Sequence, residues 1–94
     1  MLIIKDTVNE TVELLESLVN SFTNYCFLNQ IYGSTVLNSD PFIIMLSDKI
    51  YLLTKKLIDK QYPCNLSFLD FYIDAIENYG IKNDYTDKII SLFR

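Results

Sequence analysis

The chain has 94 residues, enough for one domain, and half of them are apolar, which is sufficient for a small core. Two glycines and two prolines are too few for a disordered chain or for a turn-rich β fold. The net charge of −4 and the pI near 4.5 disfavour binding to nucleic acid or to an anionic membrane.

The first predicted helix begins at Thr7, because Thr7 and Glu10 have the spacing of a capping box. It ends near residues 30–32, with Gly33 as a left-handed cap. The apolar segment from Met1 to Ile4 is too short for a signal peptide, and an extended strand is an alternative there. We expect this segment to pack on the bundle or on a second copy of the chain. An apolar stripe at helical spacing follows and comprises Val8, Val12, Leu15, Val19, Phe22 and Cys26.

Residues 33–39 are predicted to be a turn-rich link between two long helices. The second helix spans residues 41–62, with Asp40 as its N-cap and Pro41 in the first helical position. Pro63 ends it, because the residue before a proline avoids the helical conformation. Charged residues interrupt its apolar run, so a membrane span is not expected. Its core stripe has spacings of 3 and 4 and comprises Ile43, Leu46, Ile50, Leu53 and Leu57.

The short link favours an antiparallel hairpin of residues 7–32 against residues 41–62. The charges agree, since acidic residues near the start of one helix would lie beside basic residues near the end of the other, as both helix dipoles prefer. These residues are Glu10, Glu13, Glu16, Lys55, Lys56 and Lys60.

Two shorter helices follow. The third should begin near Ser67, with Ser67 and Asp70 as a capping box, and end at Gly80. The last spans residues 85–93 and is capped by Asn83 or Asp84. The expected fold is therefore a single all-α domain, a small four-helix bundle built on an antiparallel helical hairpin plus two short C-terminal helices.

No catalytic, cofactor-binding or metal-binding set is predicted. Histidine is absent, and two glycines cannot form a phosphate-binding loop. Cys26 and Cys64 match no zinc spacing, so we interpret them as buried hydrophobic residues of a cytoplasmic protein, with a single disulfide as the alternative. The carboxylates Asp70, Asp74 and Glu77 share one helix face, which we expect to be solvated rather than to bind a cation.

The chain has seven tyrosines and six phenylalanines, too many for one small core. We expect the surplus to form an interaction surface, with packing at the rim of the bundle as the alternative. Tyr51 and Lys55 on the central helix and Phe71 on the third helix are the candidate partner-binding residues. The predicted function is an inhibitor, immunity or adaptor-type regulator that binds a partner protein of unknown identity, as a monomer or as a homodimer.

The segment from Leu37 to Tyr62 resembles the second helix of the small sporulation aspartyl-phosphate phosphatases, which are two-helix hairpins with a Ser-Gln-Glu-Leu-Asp signature. The matching residues here are Ser47, Asp48, Lys49, Ile50 and Tyr51, of which Ser47 is identical and Ile50 similar. The resemblance implies binding to a response regulator through Ser47 and Asp48. Because most of the polar signature is replaced, hydrolysis is in doubt, and the alternative function is a phosphatase of this kind or a non-hydrolysing relative. These residues are otherwise the outer face of the central helix.

Overall fold

A computed structural model describes the backbone of residues 2–61 and 64–93 and the side chains of residues 8–61 and 64–93. The described chain is all-α, and four of its helices pack together, as predicted. A turn of 3-10 helix at Gln30–Tyr32 connects the first two helices. The α-helices are α1 (Leu2–Asn29), α2 (Gly33–Ser39), α3 (Pro41–Asp59), α4 (Leu69–Tyr79) and α5 (Asp84–Phe93).

The two long helices, α1 and α3, run antiparallel. The ring of Tyr25, near the end of α1, lies 4.7 Å from the ring of Phe42 at the start of α3. Leu18, earlier in α1, lines a common groove with Leu52, later in α3. Later residues of α1 therefore lie beside earlier residues of α3. This antiparallel orientation is the one that the short link favours.

Helices α4 and α5 cover one side of this pair. The ring of Tyr72 on α4 meets the ring of Phe22 on α1 edge-on, with centroids 4.8 Å apart. On the same side the ammonium of Lys88 on α5 lies 5.5 Å from the centre of the Tyr51 ring on α3. All four helices contribute to a single core, whose fully enclosed large side chains include Leu15, Phe22, Ile43, Ile50, Leu57, Leu69, Tyr72 and Ile89.

The start of α1 differs from the prediction. The helix begins at Leu2, so Thr7 is not its cap, and the extended alternative is wrong for Leu2 to Ile4. Residues 2–7 include neither glycine nor proline, so nothing in the segment interrupts a helix. Met1 and the side chains of residues 2–7 lie outside the described part of the chain, and the predicted packing of this apolar segment stays a prediction.

The predicted link is also helical, because residues 33–39 form α2. Gly33 has φ 83° and ψ 164°, which separates α2 from the preceding 3-10 turn and is not the left-handed helical cap predicted there. Leu37 is 2% exposed, so burial of this side chain favours the helical turn over an open loop. Asp40 caps α3 as predicted, since its Oδ1 accepts from the Phe42 amide at 2.8 Å.

Helix α3 ends at Asp59, before the predicted boundary at Tyr62. Gln61 adopts a positive φ of 55° and its amide donates to the carbonyl of Ile58 at 3.0 Å, which closes the helix. Pro63 and Tyr62 lie outside the described residues. The chain thus leaves the helical conformation ahead of the proline.

The ends of the short helices are defined by backbone geometry at Ser67 and Gly80 and by the side chain of Asn83. The predicted capping box at Ser67 is wrong, because the Asp70 amide donates to the backbone carbonyl of Ser67 at 3.0 Å and α4 begins at Leu69. The predicted end at Gly80 is correct, with φ 66°. Asn83 caps α5, since its Oδ1 accepts from the Tyr85 amide at 3.0 Å.

Asn38 on α2 fastens the hairpin link to the turn between α4 and α5. Its Nδ2 donates to the Gly80 carbonyl at 3.1 Å, and its Oδ1 accepts from the Lys82 amide at 2.7 Å. A Cβ added at Gly80 would lie 3.1 Å from the Cβ of Ser34, so the two segments approach closely. One side chain therefore joins parts of the chain that are more than forty residues apart.

Candidate docking surface

Each long helix carries a second, largely apolar stripe beside its buried stripe, shifted by one position around the helix. Both second stripes have spacings of 3 and 4 and lie on one surface, which we call the open face. The open face comprises Leu14, Leu18, Ser21, Tyr25 and Leu28 on α1 and Phe42, Met45, Lys49, Leu52 and Lys56 on α3.

The open face lies on the side of α3 that α5 does not cover. Asn83, at the start of α5, contacts Ser47 on α3, and Lys88, within α5, contacts Tyr51 on α3. Successive residues of an α-helix are about 100° apart, so Lys49, two residues from both, points to the opposite side. The same chain therefore covers one side of the helix pair and leaves the other exposed.

A groove of about 450 Å³ runs between α1 and α3 in the middle of the open face. Leu14 and Leu18 form one wall, and Leu52 and Leu53 form the other, with Lys49 as the charged group of the lining. Leu14 is 52% exposed and Leu52 is 57% exposed, so neither is part of the core. Apolar side chains that gather around a groove, rather than scatter singly, are typical of a binding surface.

An aromatic pair, Tyr25 and Phe42, lies where the end of α1 meets the start of α3. Tyr25 donates its hydroxyl to Asp40 Oδ2, and its ring packs against the ring of Phe42 at an interplanar angle of 57°. The hydrogen bond to Asp40, followed by desolvation, raises the pKa of Tyr25 above its usual value. Because Asp40 also caps α3, the Tyr25 ring is held in one position, as suits an aromatic anchor in an interface.

The borders of the open face carry charges of opposite sign. Glu10 and Glu13 are exposed along the first half of α1, and Lys49, Lys56 and Lys60 are exposed along α3. Lys56 and Lys60 lie at the same end of the hairpin as Glu10 and Glu13, whereas Lys49 lies near its middle. Within residues 8–61, however, no salt bridge joins them. The charges of this face therefore have no partner of opposite sign on the neighbouring helix within salt-bridge distance.

The residues predicted to bind a partner lie elsewhere. Tyr51 is half-buried on the α5 side beneath Lys88, whose ammonium is 5.5 Å from the ring centre. Lys55 forms a salt bridge of 3.1 Å with Asp59, and this hydrogen bond raises the pKa of Lys55. Phe71 is 72% exposed on α4 and is the most accessible of the three.

Ser47 and Asp48, which the phosphatase resemblance implies as contacts, have different surroundings. Ser47 is fully buried; its Oγ donates to the Ile43 carbonyl at 2.8 Å and accepts from Asn83 Nδ2 at 3.4 Å. Asp48 is half-buried. A phospho-aspartate on a partner could reach the Ser47 hydroxyl only if α5 moved away from α3.

The two cysteines are free, so the alternative of a disulfide is wrong for this structure. Cys26 is fully buried, as predicted, and desolvation together with the nearby charge of Asp40 raises its pKa to about 11. A buried thiol with a raised pKa is a poor nucleophile. Cys64 is only half-buried.

Across residues 8–61 and 64–93, no three carboxylate or cysteine side chains converge in a way that could hold a metal ion. Nor does any helix within the described ranges combine the length and the apolar character needed to cross a bilayer.

The sequence contains a signal for the open face that helical spacing does not separate from the core stripes. By spacing alone, Met45 and Leu52 widen the buried stripe of α3, and Leu14 and Leu18 lie beside that of α1. Their own spacings of 3 and 4 repeat one position away from the buried stripes. Periodicity finds both stripes and does not say which of them the chain itself covers.

No family model, curated protein or solved structure matches this chain. The resemblance of the central helix to the sporulation phosphatases therefore stays a prediction.

Proposed function

We propose that the protein is a small interaction module, of the inhibitor, immunity or adaptor type, that binds a partner protein through the open face. The observation that supports this proposal is the groove of about 450 Å³ between α1 and α3, with leucines on both walls. A monomer gains nothing from leaving these side chains in water, whereas an interface that covers them gains the free energy of apolar burial.

The anchors expected of such an interface are present. Burial of a fully exposed leucine contributes about 1.5–3 kcal/mol, so half-exposed leucines contribute about half of that each. Leu14, Leu52 and Met45 are all in this range of exposure. The paired rings of Tyr25 and Phe42 add aromatic area that is already ordered, which lowers the entropy lost on binding. The open face thus includes part of the surplus of aromatic and apolar residues, whereas Phe27 and Phe71 are exposed elsewhere.

The test is affinity capture from lysate of the native host with the full-length chain, followed by titration of the captured protein in purified form. Leu14→Asp with Leu52→Asp should weaken binding at least tenfold, because both charges enter the groove. Phe71→Asp is the matched control, since Phe71 is exposed on α4, outside the open face. Capture that survives the groove variant and is lost with the control would place the interaction elsewhere and contradict the proposal.

A further inference from the structure

We infer that the open face binds the open face of a second copy of the chain, about a twofold axis that runs parallel to α1 and α3. This inference rests on the proposed function, since it identifies the partner that the same surface accepts. The occupant of the groove is then a helical hairpin of the same length and the same apolar spacing. Two such hairpins packed face to face form a four-helix bundle at the interface, a common arrangement for amphipathic helix pairs.

Two symmetric arrangements would bring the faces together. With the axis perpendicular to the helices, α1 lies on α1 of the other copy and α3 lies on α3. With the axis parallel to the helices, α1 lies on α3 of the other copy, at the same height and in the opposite direction. The apolar stripes meet in both cases, so the charges on the borders decide between them.

The perpendicular axis brings like charges together. It places the lysines of α3 opposite the equivalent helix of the second copy, so that Lys49 near the middle of the face lies close to Lys49 of that copy. It also leaves the glutamates of α1 without any basic residue on the facing helix, because the described part of α1 from residue 8 onward has neither lysine nor arginine. Like charges that face each other in an interface oppose association.

The parallel axis pairs opposite charges. Tyr25 is level with Phe42, and continuing the antiparallel register along the helices makes Glu10 level with Lys56. The parallel axis keeps this register while moving the facing helix to the other copy. Glu10 of each copy then lies over Lys56 of the other, and the pair occurs twice. Within one copy no salt bridge joins Glu10 to Lys56, so both are available.

The same register matches the apolar groups. Leu14 of one copy lies over Leu52 and Leu53 of the other, and Tyr25 lies over Phe42. The two grooves are therefore filled by the leucines that form their walls. The charged pairs remain at the border, where they select the orientation rather than supply most of the affinity.

The experiment is sedimentation equilibrium of the full-length chain over a concentration series, with two charge-reversal variants. Glu10→Lys alone makes both members of each pair basic, and Lys56→Glu alone makes both members acidic. Each variant alone should dimerise about tenfold more weakly than the wild type, since two attractive pairs become two repulsive pairs. In a heterodimer of the two variants, residue 10 of each chain lies over a residue 56 of opposite charge, so mixing them restores both pairs and should recover association.

The double variant Glu10→Lys with Lys56→Glu restores both pairs with their signs exchanged. It should dimerise with near-wild-type affinity, because each basic group again lies over an acidic group of the other copy. Failure of the double variant to recover dimerisation, with all variants folded by circular dichroism, overturns the parallel axis. Leu52→Glu should abolish the dimer by placing a charge in the groove, whereas Phe71→Glu on α4 should leave the mass unchanged.

The readout separates contacts between copies from contacts within a copy. Repulsion between α1 and α3 of the same chain lowers the stability of the monomer, which urea denaturation at low protein concentration measures. A dimerisation defect that exceeds any change in monomer stability supports the contact between copies. Loss of monomer stability with an unchanged dimerisation constant overturns the inference.

The outcomes also distinguish this inference from the proposed function. A wild-type chain that stays monomeric while Leu14→Asp with Leu52→Asp abolishes capture of a different protein overturns self-association and supports the interaction module. Unchanged sedimentation and unchanged capture with the groove variant overturn both. A dimer that Leu52→Glu disrupts and that the double charge exchange preserves supports both.

Discussion

The two sides of the α1–α3 pair have nearly the same spacing of apolar residues, but one side is buried and the other is exposed. On the closed side, which contacts α4 and α5, Phe22 and Ser47 are fully buried. On the open face, Leu14 and Leu52 are more than half exposed. Both α4 and α5 pack on the closed side, α4 against α1 and α5 against α3. The comparison shows that apolar spacing alone does not distinguish the stripe that becomes core from the stripe that stays exposed.

The largest effect should come from the closed side. Phe22→Ala removes a fully buried ring that packs edge-on against Tyr72, and it should lower the free energy of unfolding by about 3–5 kcal/mol. Urea denaturation measures this loss. A loss below about 1 kcal/mol would show that the closed side is loosely packed and would remove the contrast between the two sides.

Cys26 and Tyr25 are neighbours in sequence, but Cys26 lies on the closed side and Tyr25 on the open face. The stability of the chain at alkaline pH tests the burial of Cys26. Burial raises the Cys26 pKa from 9.0 to about 11. The folded chain therefore keeps this proton where the unfolded chain loses it. Stability from this group is complete below pH 9 and is lost as the pH rises to 11, by about 2–3 kcal/mol.

Cys26→Ala tests this expectation. The variant should be less stable than the wild type at pH 7, and the difference should shrink towards pH 11, because alanine has no proton to lose. Urea midpoints at several pH values between 7 and 11 measure the change. Parallel curves for the two proteins would mean that Cys26 does not cause the alkaline loss.

Asn83, which caps α5 and contacts α3 on the closed side, should have an intermediate effect on stability. Asn83→Ala removes the acceptor for the Tyr85 and Thr86 amides and the donor to Ser47, and it should cost about 1–2 kcal/mol. Thermal melting followed by circular dichroism measures the loss. Asn83→Asp keeps the acceptor and is the matched control, so equal losses in both variants would argue against the cap as the cause.

The smallest effect should come from the open face. Leu52→Ala shortens a side chain that is 57% exposed, and it should change the stability of the monomer by no more than about 0.5 kcal/mol. Urea denaturation at low protein concentration measures this value. A loss comparable with that of Phe22→Ala would mean that the chain itself covers Leu52.

Much of the fold is predictable because it follows from local rules. The N-cap of Asp40, the end of α4 at Gly80 and the cap of Asn83, one of two candidates there, all depend on residues within one helical turn, and the structure confirms them. The helical turn at residues 33–39 escapes prediction, because its composition suits a loop and its stability depends on burying Leu37 against distant parts of the chain.

The candidate site is less predictable for a related reason. The aromatic surplus indicates an interaction surface, and Tyr51 is a candidate because it lies on the flank of the α3 stripe. Its half-buried position beneath Lys88 depends on where α5 docks, which no spacing within α3 encodes. Conversely, spacing includes Leu52 in a broad apolar face and puts Leu14 on a stripe beside the core, and it does not show which side of the helix pair α4 and α5 cover.

The two hydrogen bonds of Asn38 have a consequence for the kinetics of folding. They join α2 to Gly80 and Lys82, more than forty residues away, so they form only after both halves of the chain have docked. We expect such contacts to be absent from the transition state, so that their loss accelerates unfolding without slowing folding. Asn38→Ala should therefore raise the unfolding rate in a stopped-flow experiment and leave the refolding rate unchanged. Amide exchange at Lys82 then reports how long the two halves stay together.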